Sequence, residues 1–253
     1  MIKEITSLKN KTVCELKKLK QKKYREHSRL FLAEGYRNVC DSIAKQAPKM
    51  LLVDMDFSEL FSALEETEVY RVTDAVLKEV CDTKTPQGIA AVFSIPEERD
   101  ITSSSVLLLN GVSDPGNLGT ILRTALASGF TDIILDENCA DVYAPKVVRS
   151  AMSAIFSLNL IRVKELNDSV ETLQQMGYSV YGAALTDCAK SIYDTDFPGK
   201  TALMMGSEAN GIEKALLEKL DGVYIIPMNG EIESLNVAVA AGISMYERIR
   251  REK

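Results

Sequence analysis

Short apolar runs alternate along the chain with stretches whose apolar positions recur at three- and four-residue spacing, the patterns of buried strands and amphipathic helices. Val106 to Leu109 is a continuous apolar run of strand type, suited to burial on both faces. Asn110-Gly111 and Asp114-Pro115-Gly116 are turn residues, and Asn117 is a suitable N-cap for a helix over 117–128 with Ile121, Leu122, Ala125 and Leu126 on its apolar face. Further strands are predicted at 132–135, 159–163, 178–183, 201–205 and 223–226, with helices at 144–157, 166–176, 212–220 and 235–251. The alternation predicts a mostly parallel sheet with helices on both faces.

The first part of the chain follows the same rule on a smaller scale. A helix over 11–23 places Val13, Leu16 and Leu19 on one face. Strands are predicted at 31–33, 50–53, 69–72 and 87–93, with helices from Gly35 to about Lys45, at 57–64 and at 74–80. The stretch SIPEERDITSSS is polar, contains a proline and has no period, so it reads as a linker. The expected division is an α/β domain over 1–95, a linker over 96–105 and a larger α/β domain over 106–253.

Composition narrows the function classes. The 253 residues contain no apolar run of membrane-spanning length, and the basic N-terminus lacks the apolar core of a signal peptide. Five scattered cysteines without a CxxC pair argue for free thiols in a cytoplasm, with neither a disulfide framework nor a metal site. Net charge is −6, yet residues 1–30 carry ten Lys or Arg against three Glu, so this segment is +7 and the remainder −13. Such a run is often a solvated helix face; its density here also fits an arm that binds a polyanion.

Three stretches carry candidate chemistry. In the first, Arg123 follows Asn117 by six residues, less than two helical turns. In the second, the apolar run Leu203-Met204-Met205 enters Gly206-Ser207-Glu208, where Gly206 would admit a ligand close to the backbone and Glu208 would project from the strand's carboxyl end. In the third, Pro227 ends a strand and Ser234 is a natural N-cap for a slim helix containing Ala238, Ala240, Ala241 and Gly242. Each has an ordinary structural reading: a βα unit with a solvated arginine, a helix-start loop, and a capped helix.

Together the stretches N-x-x-x-D-P-x-N-x-G-x-x-x-R-T-A (Asn110 to Ala125), L-x-x-G-S-E-x-x-G (Leu203 to Gly211) and I-P-M…S-L-N-V-A-V-A-x-G (Ile226 to Gly242) resemble the motifs of the SpoU (TrmH) family of RNA ribose 2′-O-methyltransferases. ITSLKNKTV…FLAEGYRNV and TPQGIAAVF look like the substrate-binding domain of the ribosomal-RNA branch. Ala209 and Ser153 stand where the family commonly has glycine.

The resemblance implies a SPOUT-type fold with a C-terminal trefoil knot, a smaller N-terminal RNA-binding domain, and a homodimer joined by the first-motif and C-terminal helices. It implies S-adenosylmethionine held by Gly206, Ile226, Met228 and Leu235, and a polar site made of Asn117, Arg123, Glu208, Ser234 and Asn236. RNA, ribosomal in the leading reading, would be gripped by Lys17, Lys18, Lys20, Lys22, Lys23, Arg25 and Arg149. A guanidinium keeps its charge and is a poor proton acceptor, so Arg123 is better suited to clamp a phosphate and polarise the hydroxyl. A transfer-RNA substrate and a non-catalytic RNA-binding role remain as alternatives. A nicotinamide enzyme is disfavoured because Asp114-Pro115 replaces the glycine loop of such folds.

Overall fold

The computed structural model describes residues 3–54, 64, 67–186, 188–229 and 234–252. The predicted helix at 57–64 falls almost wholly outside them. The chain forms two compact units, one of Met1–Glu97 with Asp141–Phe156, the other of Glu98–Ala140 with Ser157–Lys253.

In the first unit, strands β1 (Lys3–Ile5), β2 (Leu30–Glu34), β3 (Met50–Val53), β4 (Glu68–Val72) and β5 (Ile89–Ser94) form a sheet in the order β1-β4-β3-β5-β2. β1, β4 and β3 run parallel, whereas β5 is antiparallel to both β3 and β2. The predicted helix over 11–23 is two helices, α1 (Lys11–Lys18) and α2 (Lys22–Ser28). The break has a cause in Arg25, whose Nη1 donates to the Leu19 carbonyl at 2.6 Å and takes an acceptor that a continuing helix would use. Val13, Leu16 and Leu19 are buried in the core with Val76, Leu77 and Val80 of α4 (Asp74–Val80). The basic segment is therefore part of the packed unit rather than a free arm. Helix α3 (Tyr36–Ile43) follows β2.

Residues 141–156 join this unit although the sequence places them between two strands of the other. Phe31 on β2 has Phe93, Tyr143 and Phe156 around it at ring-centroid distances of 6.0, 5.0 and 5.6 Å. Arg25, only 3% exposed, pairs with Asp141. Arg149 pairs with the buried Glu34 and with Asp82 at 3.0 Å. The predicted helix over 144–157 is shortened to α6 (Pro145–Ala151), because Met152 turns to φ 55°, ψ −144° and a 3-10 turn follows over Met152–Phe156.

The second unit is organised around β6 (Ser105–Leu109). Seven strands, β6 to β12, form a sheet in the order β10-β12-β9-β11-β6-β7-β8, every pair parallel. The others are β7 (Asp132–Leu135), β8 (Asn159–Arg162), β9 (Ser179–Ala183), β10 (Lys190–Ser191), β11 (Thr201–Met205) and β12 (Gly222–Ile225). The short edge strands β1 and β10 carry too few residues for a readable period. Helices α5 (Pro115–Ala127), α7 (Asn167–Gln175), α8 (Lys214–Leu217) and α9 (Val237–Glu252) connect or flank the strands, with α8 shorter than predicted. The residues before β6 are not a loose tether: Asp132, 2% exposed, accepts from Thr102 N and Ser103 N, and Asn159 holds Arg99 through N–H and carbonyl.

The chain runs from β6 outward through β7 to β8, then returns to place β11 on the other side of β6. Strand order thus reverses between β6 and β11, the place where open parallel sheets build ligand sites at strand carboxyl ends.

Candidate active site

The loop after β6 enters α5 through Asp114, not Asn117. Asp114 accepts from Asn117 N at 2.8 Å and Pro115 occupies the first helical position, where a missing N–H costs nothing. This frees the Asn117 side chain. Its Nδ2 donates to Glu208 Oε1 at 2.7 Å, and its Oδ1 accepts from Asn236 Nδ2 at 2.9 Å. Asn236, in turn, caps α9: its Oδ1 accepts from Ala238 N at 2.9 Å. Ser234, the predicted cap, does not serve as one and stands exposed. Three of the five polar residues from the three motifs, Asn117, Glu208 and Asn236, are thereby joined. Arg123 lies exposed on α5 and makes no hydrogen bond or ion pair among the described residues.

The loop after β11 is closed on itself. Ser207 N donates to Gly211 O and Gly211 N to Ser207 O, at 3.0 and 2.9 Å. A Cβ on Gly206 would sit 2.1 Å from Gly211 C. Glycine at 206 is therefore required by the chain's own backbone, a different reason from the ligand approach the sequence suggested.

Two clefts share this loop as a wall. One, of about 610 Å³, is mostly apolar, with Ala183, Leu185, Gly206, Ile212, Leu235 and Ala240 among its lining residues. A smaller adjoining space of about 120 Å³ brings in Ile226 and Met228, again with Leu235. The four residues expected at the cofactor thus line two neighbouring spaces. Apolar walls with backbone groups at strand ends fit an adenine face, and Glu208 at the shared wall fits a positively charged sulfonium. Gly206, Leu235, Ile226 and Met228, the residues that the resemblance assigns to S-adenosylmethionine, all line these two spaces. The second large cleft, about 680 Å³, is polar.

Sequence reasoning missed the support behind this wall. Asn110, 4% exposed, donates to Asp136 Oδ2 at 2.8 Å and to Glu213 Oε1 at 3.3 Å, and accepts from Glu213 N at 3.0 Å. Asp136 is buried and accepts from Gly111 N, Asn138 N and Cys139 N at 3.0 to 3.1 Å. A buried carboxylate tolerates its charge only with several such donors. The signal was an Asp directly after an apolar strand. Burial and the neighbouring Asp136 push the Cys139 thiol up to about 12, so it stays protonated.

Among the expected RNA-contacting cations, the structure separates two sets. Lys18 and Lys23 are exposed and lie over the Tyr24 ring at 5.6 and 4.9 Å, and Lys22 is exposed with Glu26 at 3.7 Å, an i,i+4 surface pair that water screens. Lys17 pairs with Glu79, Lys20 donates to the Glu79 carbonyl at 2.8 Å, and Arg149 is held by Glu34 and Asp82. Arg25 corrects the expectation: buried and committed to Leu19 O and Asp141, it presents no accessible donor to a phosphate. No helix of the described residues is long and apolar enough to cross a membrane.

Fold and site define an α/β protein that brings an apolar-walled cleft against a polar cleft at the switch point of a parallel sheet. Residues 104–246 match the SpoU rRNA Methylase family and residues 10–91 match the MRM3-like substrate binding domain. The chain belongs to the SpoU rRNA methylase family. It is 38% identical over 246 residues to the 23S rRNA (guanosine(2553)-2′-O)-methyltransferase RlmP of Bacillus subtilis (strain 168), covering 97% of this chain and 98% of that one. The AdoMet-bound rRNA methyltransferase of Sinorhizobium meliloti superposes with a TM-score of 0.88 at 28% identity, covering 98% of both chains. The SpoU methyltransferase AviRb of Streptomyces viridochromogenes, in complex with AdoMet, gives 0.85 at 28% identity, covering 96% of this chain and 98% of that one.

Proposed function

We propose that this protein transfers a methyl group from S-adenosylmethionine to a ribose 2′-hydroxyl of RNA, with 23S ribosomal RNA as the substrate. The observation that carries the reading is the chain Glu208–Asn117–Asn236, which ties all three motifs together on the wall between the two clefts. S-adenosylmethionine supplies a methyl already activated by the sulfonium charge. The protein's task is then to position the hydroxyl in line and to assist departure of its proton. Glu208 accepts from the ribose, a role that its hydrogen bond from Asn117 supports by orienting the carboxylate. Asn236 orders the start of α9, and Ser234, at the wall of the apolar cleft, orients the ribose. Arg123 donates to a phosphate and polarises the hydroxyl, a role its free, exposed guanidinium supports.

The N-terminal unit serves as the RNA-binding part, with Lys18, Lys22 and Lys23 making the phosphate contacts. The protein works as a homodimer through α5 and α9. Val239 and Tyr246, 51% and 54% exposed on one side of α9, form with Ile243 an apolar stripe that a second copy would cover. The second unit carries the trefoil knot implied by the family's motifs, and five free cysteines support a cytoplasmic location.

The test is methyl transfer from labelled S-adenosylmethionine to 23S ribosomal RNA transcribed in vitro, read as 2′-O-methylnucleosides after digestion. Arg123→Ala should bind S-adenosylhomocysteine normally while losing at least ~100-fold in turnover, the scale of a positioned catalytic group. Absence of ribose methylation by the wild-type protein, in 23S or any other RNA, would overturn the reading.

A further inference from the structure

The polar cleft has no assigned occupant. It shares Ser207, Glu208, Asn210 and Gly211 with the apolar cleft, so the two adjoin at one loop. Methyl transfer needs the hydroxyl oxygen within about 3–3.5 Å of the donated carbon. With the cofactor on the apolar side, the target nucleotide must come from the polar side. At about 680 Å³, that cleft is within the usual range for small-ligand sites.

Its chemistry restricts which part of a nucleotide can enter. Three carboxylates line it, Asp114, Glu208 and Glu213, and none of its lining residues is Lys, Arg or His. A phosphate would be repelled there. A neutral group rich in N–H and O–H donors would be held. Two of the carboxylates are engaged elsewhere: Asp114 Oδ1 caps α5, and Glu208 Oε1 takes the Asn117 amide. Glu213 is placed differently. Asn110 clamps it from behind, accepting from Glu213 N at 3.0 Å and donating to Oε1 at 3.3 Å, and the buried Asp136 holds Asn110. Oε2 has no partner among the described residues. The side chain is thus fixed at its root with acceptor capacity open at the cleft.

A carboxylate with two oxygens pairs best with two parallel donors. Guanine presents such a pair, N1–H and N2–H, on its Watson–Crick edge. Adenine and cytosine offer one amino donor beside a ring-nitrogen acceptor, and uracil offers a lone N–H between two carbonyls; each would set a lone pair against the carboxylate. That edge is open only where the base is unpaired or turned out of its helix. Resting on the ribose-methylation reading above, we propose that the polar cleft seats the base of the target nucleotide and that Glu213, clamped by Asn110, selects guanine through N1–H and N2–H.

The experiment uses the full chain with S-adenosylmethionine and transcribed 23S ribosomal RNA, with the modified nucleosides identified by mass spectrometry. Wild-type protein should form 2′-O-methylguanosine. A hairpin carrying the mapped target should then lose at least tenfold in kcat/KM when inosine, which lacks the 2-amino group, replaces that guanosine. Glu213→Gln should react at least tenfold more slowly with the guanosine hairpin and should distinguish guanosine from inosine less than threefold, while its affinity for S-adenosylhomocysteine stays within twofold of wild type. A merely structural role for Glu213 would leave the guanosine-to-inosine ratio unchanged. Formation of a different 2′-O-methylnucleoside, or full tolerance of inosine by the wild type, would overturn the base assignment and leave the methyltransferase reading standing. No methylation of any nucleoside in any RNA would remove that reading and the assignment with it. Should Glu213→Gln fail to fold, the inosine comparison on wild-type protein decides alone.

Discussion

Asn117 and Glu208 stand 91 positions apart, and the Asn117 amide donates to the Glu208 carboxylate at 2.7 Å. The other end of the same amide accepts from Asn236, 119 positions further on. Asn117→Asp removes the donor and sets two carboxylates against each other. The bond is exposed, so its loss should cost stability no more than about 0.5–1.5 kcal/mol. Turnover should nevertheless fall by roughly 100-fold, because the carboxylate loses its aim. Steady-state kinetics beside a thermal melt would check this; unchanged kcat with an unchanged melt would show the contact to be incidental.

Gly206→Ala should damage folding and cofactor binding together. The new methyl would stand 2.1 Å from Gly211 C and 2.2 Å from Ile212 N, backbone atoms that can move only by opening the 207–211 loop. Overpacking of this kind costs about 1–3 kcal/mol. A lower denaturant midpoint with weaker S-adenosylhomocysteine binding in calorimetry is the expected result. A variant with wild-type values on both would mean that the loop is looser than its closed hydrogen bonds indicate.

Replacing Lys18, Lys22 and Lys23 by Gln should weaken RNA binding and flatten its dependence on salt. Each phosphate contact contributes roughly 0.7 to the log–log slope for single strands, so three contacts amount to about two units. Truncating residues 1–30 would be a poor substitute, since Ile5, Val13, Leu16 and Leu19 belong to the core of the first unit. Fluorescence anisotropy at several salt concentrations supplies the slope. If it does not change, these lysines form only a solvated face.

Acid should weaken the C-terminal helix. Hydrogen bonds from Arg250 hold the Glu247 carboxyl below the usual carboxylate range; partial burial pulls the other way, and Arg251 adds to the lowering. A depressed carboxylate stabilises the fold above its unfolded pKa of about 4.3, and this contribution disappears as pH falls through the lower folded value. Glu247→Gln should therefore melt earlier than wild type at pH 7, with the gap closing below about pH 4. A gap independent of pH would assign the loss to packing instead of charge.

Local chemistry made much of the protein legible in its sequence. The apolar runs at 50–53, 132–135 and 201–205 are strands at those bounds, because a β-branched or aliphatic stretch between turn residues has few other ways to bury itself. The three motifs likewise marked the loops that meet at the switch point. Caps were less legible where two candidates lay close together. Asp114 and Asn236 won over Asn117 and Ser234, since the choice depends on which side chain the incoming loop turns toward the helix end.

Only the tertiary structure decided the remainder, and the reason is that the deciding contacts span the sequence. Residues 141–156 lie between strands of the second unit, yet Phe31, Glu34 and Arg25 draw Phe156, Arg149 and Asp141 into the first. Arg25 looked like one more cation in a basic run until burial showed it pinning the turn that splits α1 from α2. Asn110, Asp136 and Glu213 carry no periodic signal and lie 26 and 77 positions apart in turn. Parallel strand pairing alone brings β6 beside both β7 and β11, and with them the residues that support the wall between the clefts. Sequence thus determined which residues could form each element and carry each charge; the order of the strands determined which of them meet.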